Sequence, residues 1–254
     1  MAAGPPNWVS DPEIWWTGKK RFLEFELVAL RQTTGLRERV EKRKTKMDAQ
    51  HQIRDVTDLE AVVGAQIEFV RSKIASRLDD LMKEFIRSSP LVFVSTSDPD
   101  GQVDISPKGD PAGFVQVDDK GNLLIPERPG NRLTIGFRNI LRNSRIGLIF
   151  VVPNQRETLR VKGTATLHKD PQILEQMKVN GKPALLYTHV EVTECFIHCG
   201  KALIRSQLWR PESWGESSRS IGGRQLASVV GARSESEIEE SAARLEKLYT
   251  DDLY

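Results

Sequence analysis

The chain has 254 residues, with 37 Lys and Arg against 35 Asp and Glu and a formal net charge of +2. That balance excludes the overall basic field of a nucleic-acid binder, and having only two cysteines, Cys195 and Cys199, excludes a disulfide framework. No apolar run approaches the ~20 residues of a membrane-spanning helix, and the start Met-Ala-Ala-Gly-Pro-Pro lacks the basic and apolar regions of a secretory signal. The expectation is a soluble, cytoplasmic protein with no nucleic-acid or membrane partner, holding one large β domain or two small ones.

Residues 1–54 read as an N-terminal helical extension. Asp11-Pro12-Glu13 is a helix start, with an N-cap acid and Pro at the first helical position. Ile14, Trp15, Phe22 and Phe25 offer an apolar face, to pack on the chain's own domain or on a partner. Arg37 to Lys46 is a charge-rich segment interrupted by Glu38 and Glu41, with no aromatic for base stacking, and reads as a solvated connector. Thr57-Asp58-Leu59-Glu60 has capping-box spacing. Ile67 to Ile86 then repeats apolar residues at helical spacing, notably Ile74, Leu78, Leu81, Met82 and Phe85, until Pro90 ends the helix.

A meander follows. Leu91 to Ser97 is a β-branched and aromatic strand, Asp98-Pro99-Asp100-Gly101 a turn, and Gln102 to Ser106 the returning strand. Ser106 to Gly113 reads as a loop, with two prolines, two glycines and Lys108. Phe114 to Val117, the turn 118–121 and Asn122 to Pro126 make a second hairpin. Arg128-Pro129-Gly130-Asn131-Arg132 leads into a helix over Arg132 to Arg142, with Leu133, Gly136, Phe137, Ile140 and Leu141 facing inward. Two loops thus carry cations beside backbone N–H groups, and one opens a helix: this is a recipe for an anion site, though such loops are also common solvated features.

Arg145 to Val152 reads as a buried strand. Glu157 to His168 alternates Leu159, Val161, Gly163, Ala165 and Leu167 with polar residues. A helix from Asp170-Pro171 to about Val179 precedes a long strand, Thr188 to His198, whose apolar positions imply a register change near Glu194. Cys195 and Cys199 fall on one strand face with His198 on the other, so they do not converge on a metal and read as a buried thiol pair. Lys201 to Trp209 is a short helix or turn. Gly215 to Gly223 looks like a linker, and Ser234 to Tyr249 like an amphipathic helix carrying Ile238, Leu245 and Leu248.

This order of pieces resembles the pyridoxamine-phosphate-oxidase-like flavoproteins, more closely a branch of FMN-dependent enzymes with no assigned substrate. The markers are Asp104-Ile105-Ser106-Pro107-Lys108-Gly109-Asp110, Ile125-Pro126-Glu127-Arg128-Pro129-Gly130-Asn131-Arg132, Glu157 to Gly163, His198-Cys199-Gly200-Lys201-Ala202, and Arg205 to Trp209. The resemblance spans about Thr57 to Trp214. It implies a mainly β fold with flanking helices (α+β), an FMN-binding split β-barrel, over residues 55–214, with residues 215–254 a linker and C-terminal helix.

It further implies a homodimer with FMN at the subunit interface, a small-molecule substrate, and NADPH or NADH as donor. Lys108, Arg132 and the Asn131 amide fall where the family's phosphate contacts lie, with Gly109 and Arg128 in the same two loops. Ser106, Ile125 and Pro126 would edge the flavin ring. Lys201 or Arg205, from this chain or its partner, would stand near the flavin's N1 and O2, where a cation stabilises the anionic reduced form. Trp209 would cover the ring or wall the pocket, and Thr158 takes the place of a flavin-facing Gln. The B6 oxidases' leading Arg is missing before Lys108, and so is their C-terminal Arg-Leu motif, so a B6 phosphate substrate is not expected. The implied activity is hydride transfer through flavin N5. The alternatives are a deazaflavin-dependent reductase on the same fold and a non-catalytic flavin-binding protein.

Overall fold

A computed structural model describes residues 51–215, 221–231 and 234–251. The segments expected over residues 1–50, including the tryptophan-rich start and the Arg37 to Lys46 connector, lie outside the described residues. Those residues divide into two units between Gln66 and Ile67. The first contains helix α1 (Val56–Val63), capped by Asp55, whose carboxylate accepts from Asp58 N at 2.9 Å. The cap is therefore Asp55 and not the Thr57 box.

The second unit holds the sheet. Its approach is not one continuous helix: α2 (Glu68–Arg71) ends early, Ala75 makes a two-way bridge to Cys195, and α3 (Asp80–Ser88) begins anew. Asp79 restarts the helix by accepting from Met82 N at 2.8 Å. Leu78, Met82 and Ile86 then form an i, i+4, i+8 stripe that is buried, while Leu81 is exposed. Before Pro90, the fully buried Ser89 donates its hydroxyl to Leu91 O and Val151 O, both at 2.8 Å.

Seven antiparallel strands follow: β1 (Leu91–Ser97), β2 (Val103–Gly109), β3 (Gln116–Val117), β4 (Leu123–Glu127), β5 (Arg145–Val151), β6 (Thr158–His168) and β7 (Leu186–His198), in the order β2-β1-β5-β6-β7-β4-β3. Between them lie α4 (Ile135–Arg142) and α5 (Pro171–Gln176). After them come α6 (Lys201–Arg205), α7 (Ile221–Val230) and α8 (Glu235–Asp251). Val92, Val94, Ile146, Leu148, Phe150, Leu159, Val161 and Val190 point to one side and share a core with the α3 stripe and Ile140. Each such side chain contributes roughly 1.5–3 kcal/mol when fully buried.

The long β6–β7 ladder contains the expected register change. Lys162 pairs with Glu194 and Gly163 with Val192, leaving Thr193 as the extra residue of a bulge. Gly163 is required here, because a Cβ would lie 2.2 Å from Glu191 O and 2.8 Å from Val190 Cγ1. Four expectations are corrected. Ser106 to Gly109 is strand, because β2 continues through Pro107 to pair with Leu91 and Val92. In α4 it is Asn139 and Ile140 that are buried, whereas Leu133 and Leu141 are exposed. Cys195 is buried but Cys199, beyond the strand end, is exposed, so they form no buried pair. Ile221 to Gly223 belong to α7, where Gly223 lies so close to Ala242 that a Cβ would fall 2.5 Å from its Cα.

The sheet curls until strands distant in its order meet. β2 is one edge, and β4 beyond Leu124 has no β3 partner. Across that gap Lys108 of β2 reaches Glu127 of β4, and Asp110 reaches Arg128. The barrel is thus closed along one line by side chains rather than by a ladder, and both strands carry a proline there, Pro107 and Pro126.

Candidate functional site

The unzipped line between β2 and β4 encloses a cavity of about 540 Å³, within the range of small-molecule sites. Residues 128–137 and the start of β7 complete it. Its apolar wall comes from Val94, Leu133, Ile135, Phe137, Ile140, Leu185 and Leu186. β2 supplies the polar wall: alternate residues share a face, so Asp104, Ser106 and Lys108 all line the cavity.

Lys108 Nζ donates to Glu127 Oε2 at 2.6 Å and sits 4.8 Å from the Phe137 ring centroid. The Glu127 side chain is only 6% exposed. Burial pushes its carboxyl above the usual glutamate range, against the opposing pull of Lys108 and of the Thr188 hydroxyl, which donates to Oε1 at 3.3 Å. The Lys108 charge is therefore already met within the protein. Arg128 donates from Nε to Asp110 Oδ2 and from Nη2 to Met177 O, both at 2.7 Å. Its Nη1 is buried and has no hydrogen-bond partner among the described residues. A buried donor of this kind costs about 1–3 kcal/mol unless a ligand or water satisfies it.

The segment between β4 and α4 is left-handed twice, at Arg132 (φ 58°) and Thr134 (φ 54°). Consequently α4 begins at Ile135, three residues later than the sequence suggests, and Thr134 caps it without a side-chain hydrogen bond. Asn131 turns inward on its own loop, with Oδ1 accepting from Leu133 N at 3.0 Å. Arg132 is exposed at the cavity rim.

Of the residues chosen from sequence, Ser106, Lys108, Arg128, Asn131 and Arg132 come together around this cavity. Gly109 ends β2, and Ile125 and Pro126 are buried in β4; none of the three is in the lining. Thr158, Lys201, Arg205 and Trp209 gather instead at the β5–β6 turn. Thr158 faces His198 across the ladder, Trp209 Nε1 donates to Gln155 O at 2.7 Å, and Gly200 packs on the Arg156 backbone. Lys201 and Arg205 are exposed there. Sequence reasoning missed Asp104, Glu127 and Thr188. Asp104 was legible, since it shares the parity of Ser106 and Lys108; Glu127 and Thr188 gave no local signal.

Residues 78–199, the sheet with its flanking helices, match the family described as pyridoxamine 5'-phosphate oxidase. The chain resembles that family over this stretch, on the split-barrel architecture seen above. Among solved structures, HupZ of Group A Streptococcus is 23% identical, with 47% of this chain and 93% of that one covered and a TM-score of 0.38. A candidate pyridoxamine 5'-phosphate oxidase from Lactobacillus delbrueckii is also 23% identical, covering 48% and 95%, with a TM-score of 0.38. A structure named F420 reductase is 17% identical, covering 46% and 98%, with a TM-score of 0.36. No curated protein matches the chain.

Proposed function

We propose that this protein is an FMN-dependent oxidoreductase that transfers a hydride between NADPH or NADH and a small organic acceptor. The observation that carries the reading is the cavity itself, in which Arg128 and the exposed cation of Arg132 line a space that has an apolar wall opposite. This donor set fits FMN, which has a phosphate at one end and a flat aromatic ring at the other. Arg128, Arg132 and the Asn131 amide would hold the phosphate, and Ser106 with the Phe137 wall would border the ring. Bound flavin supplies the hydride chemistry; the protein orients two partners and excludes water.

The working unit is a homodimer in a reducing, cytoplasmic setting. On the outer face of the sheet, Phe93 (38% exposed) stands opposite Pro107 and Ile149 (39% exposed), with Ile105 (64% exposed) one row away. An apolar face of this kind is an interaction surface. In the dimer, Thr158, Lys201, Arg205 and Trp209 of one protomer would complete its partner's site.

The purified protein is expected to show flavin absorbance, and mass spectrometry of the heat-released ligand to give FMN. Anaerobic NADPH or NADH is expected to bleach it, with colour returning on addition of a quinone. A deazaflavin in the released material would favour the deazaflavin reductase. Flavin that stays oxidised with every donor would leave a binding protein and end the enzyme reading.

A further inference from the structure

The charges gathered at the cavity balance. Lys108, Arg128 and Arg132 line it, and so do Asp104 and Glu127, while Asp110 is paired to Arg128. A site without net charge attracts a phosphate dianion weakly. Loss of one negative charge would turn it into a receptor for the anion that Arg132 and the Asn131 amide are positioned to hold.

The three carboxylates differ in how firmly their charge is fixed. Asp110 accepts from Arg128 Nε at 2.7 Å, and a guanidinium does not give up its proton. Asp104 lies beside the first turn of α4, with one oxygen 3.5 Å from where a Cβ on Gly136 would be, and a helix start favours negative charge. Glu127 has neither support. Its side chain is 6% exposed, and its cation is a flexible lysine, 23% exposed, that itself lines the cavity. Burial already pushes this carboxyl upward.

Glu127 also has a partner for its neutral form. Oε1 accepts from the Thr188 hydroxyl at 3.3 Å. A hydroxyl both donates and accepts, so that of Thr188 can turn round and take the hydrogen of a protonated carboxyl. Lys108 is the ionised group in contact with Glu127. On β7, Tyr187 and His189 fall on the strand face opposite Thr188, with His189 beside Asp118 at 3.7 Å. The cavity-lining part of α4 brings Phe137 and no charge, and the segment before it brings Arg132.

We propose that Glu127 is a further binding residue of this site that works by changing its protonation: when an anionic ligand enters, a proton from solvent adds to the Glu127 carboxylate, and Lys108, no longer neutralised, adds its full charge to the hold on the ligand. The inference rests on the flavin reading above and deepens it. It makes Glu127 the group that separates phosphorylated FMN from neutral riboflavin in a pH-dependent way.

The test measures dissociation constants by flavin fluorescence for FMN and riboflavin, with wild type and Glu127→Gln, from about pH 5 to about pH 8.5. At the alkaline end Glu127→Gln is expected to bind FMN at least fivefold more tightly than wild type, and riboflavin within twofold of it. The gap for FMN should close on acidification, as wild type gains its proton; titration of the phosphate itself is common to both proteins and cancels. Equal FMN affinities at every pH would overturn the proposal, and so would a gap that does not change with pH. Should the variant not fold, wild type alone decides by calorimetry in two buffers of different ionisation heat at neutral pH. Net proton uptake with FMN and none with riboflavin is expected, and no uptake with FMN would overturn the proposal. Wild type that binds no flavin would overturn it together with the flavin reading.

Discussion

The barrel has two kinds of closure. Along β1, β5, β6 and β7 the strands are joined by continuous ladders over a core in which Phe150 and Leu159 are fully buried. Between β2 and β4 the same sheet is joined by two ion pairs around a cavity. The ladder side derives its stability from apolar area and satisfied backbone, terms that are additive and insensitive to pH. The ion-pair side has little of either. Its charges are desolvated and its balance shifts with protonation or a bound anion. Stability is concentrated on one side and the capacity to bind on the other.

Substitutions can separate the two. Phe150→Ala on the ladder side should cost about 3–5 kcal/mol, read as a lower denaturant midpoint, with little dependence on pH. Lys108→Met on the cavity side should cost about 3 kcal/mol near neutrality, because it leaves the buried Glu127 carboxylate without its cation. Burial already raises the Glu127 pKa, so the folded state keeps that proton to a higher pH than the unfolded chain. The contribution of this group to stability therefore falls as pH rises from the ordinary glutamate range through the raised folded value, and is flat above it. Removing Lys108 steepens that fall, so the deficit of Lys108→Met should shrink on acidification. Glu127→Gln leaves Lys108 without its anion, but that side chain is the more exposed of the pair (23% against 6%), so the variant should cost less than Lys108→Met, about 1–2 kcal/mol at neutral pH. A pH-independent deficit in Lys108→Met would show that the pair is screened by solvent and would erase the contrast drawn here.

Smaller effects lie away from both closures. Asp98 Oδ1 accepts from Asp100 N at 3.0 Å and Gln102 N at 2.8 Å in the β1–β2 turn, so Asp98→Ala should cost about 1 kcal/mol, measured by thermal melting. The smallest is chemical. Burial, with help from the Asp79 and Glu194 carboxylates, pushes the Cys195 thiol up to about 11, while Cys199 is exposed. A thiol reagent at pH 8 should label Cys199 at once and Cys195 only after unfolding. Rapid labelling of both would mean that the core around Cys195 opens readily.

Strands with strict alternation were legible before the structure. β1 and β6 have nearly the expected limits, and the misplaced parity of Val190, Val192, Cys195 and Ile197 foretold the bulge at Thr193. Elements whose local signals oppose their tertiary role were not. Ser106-Pro107-Lys108-Gly109 has the chemistry of a loop, yet it pairs with β1 as an edge strand, where a missing N–H is tolerated. The stretch from Ile67 to Ile86 is periodic enough for one helix, but Ala75 is diverted to cover the open edge of β7. The site divided in the same way. Cations beside glycine were visible in the sequence, but no local pattern announces that Glu127 will neutralise a lysine nineteen residues earlier. Nor does a pattern reveal that Arg132 and Thr134 adopt left-handed backbone and delay the helix.

The two prolines on the facing edges have a lasting effect. Each removes an amide hydrogen from a border that would otherwise be a template for strand pairing. Pairing between β2 and β4 is therefore weakened at the point where the side chains draw them together. The slot is thus marked in the covalent chain itself, by one missing donor on each of its two edges.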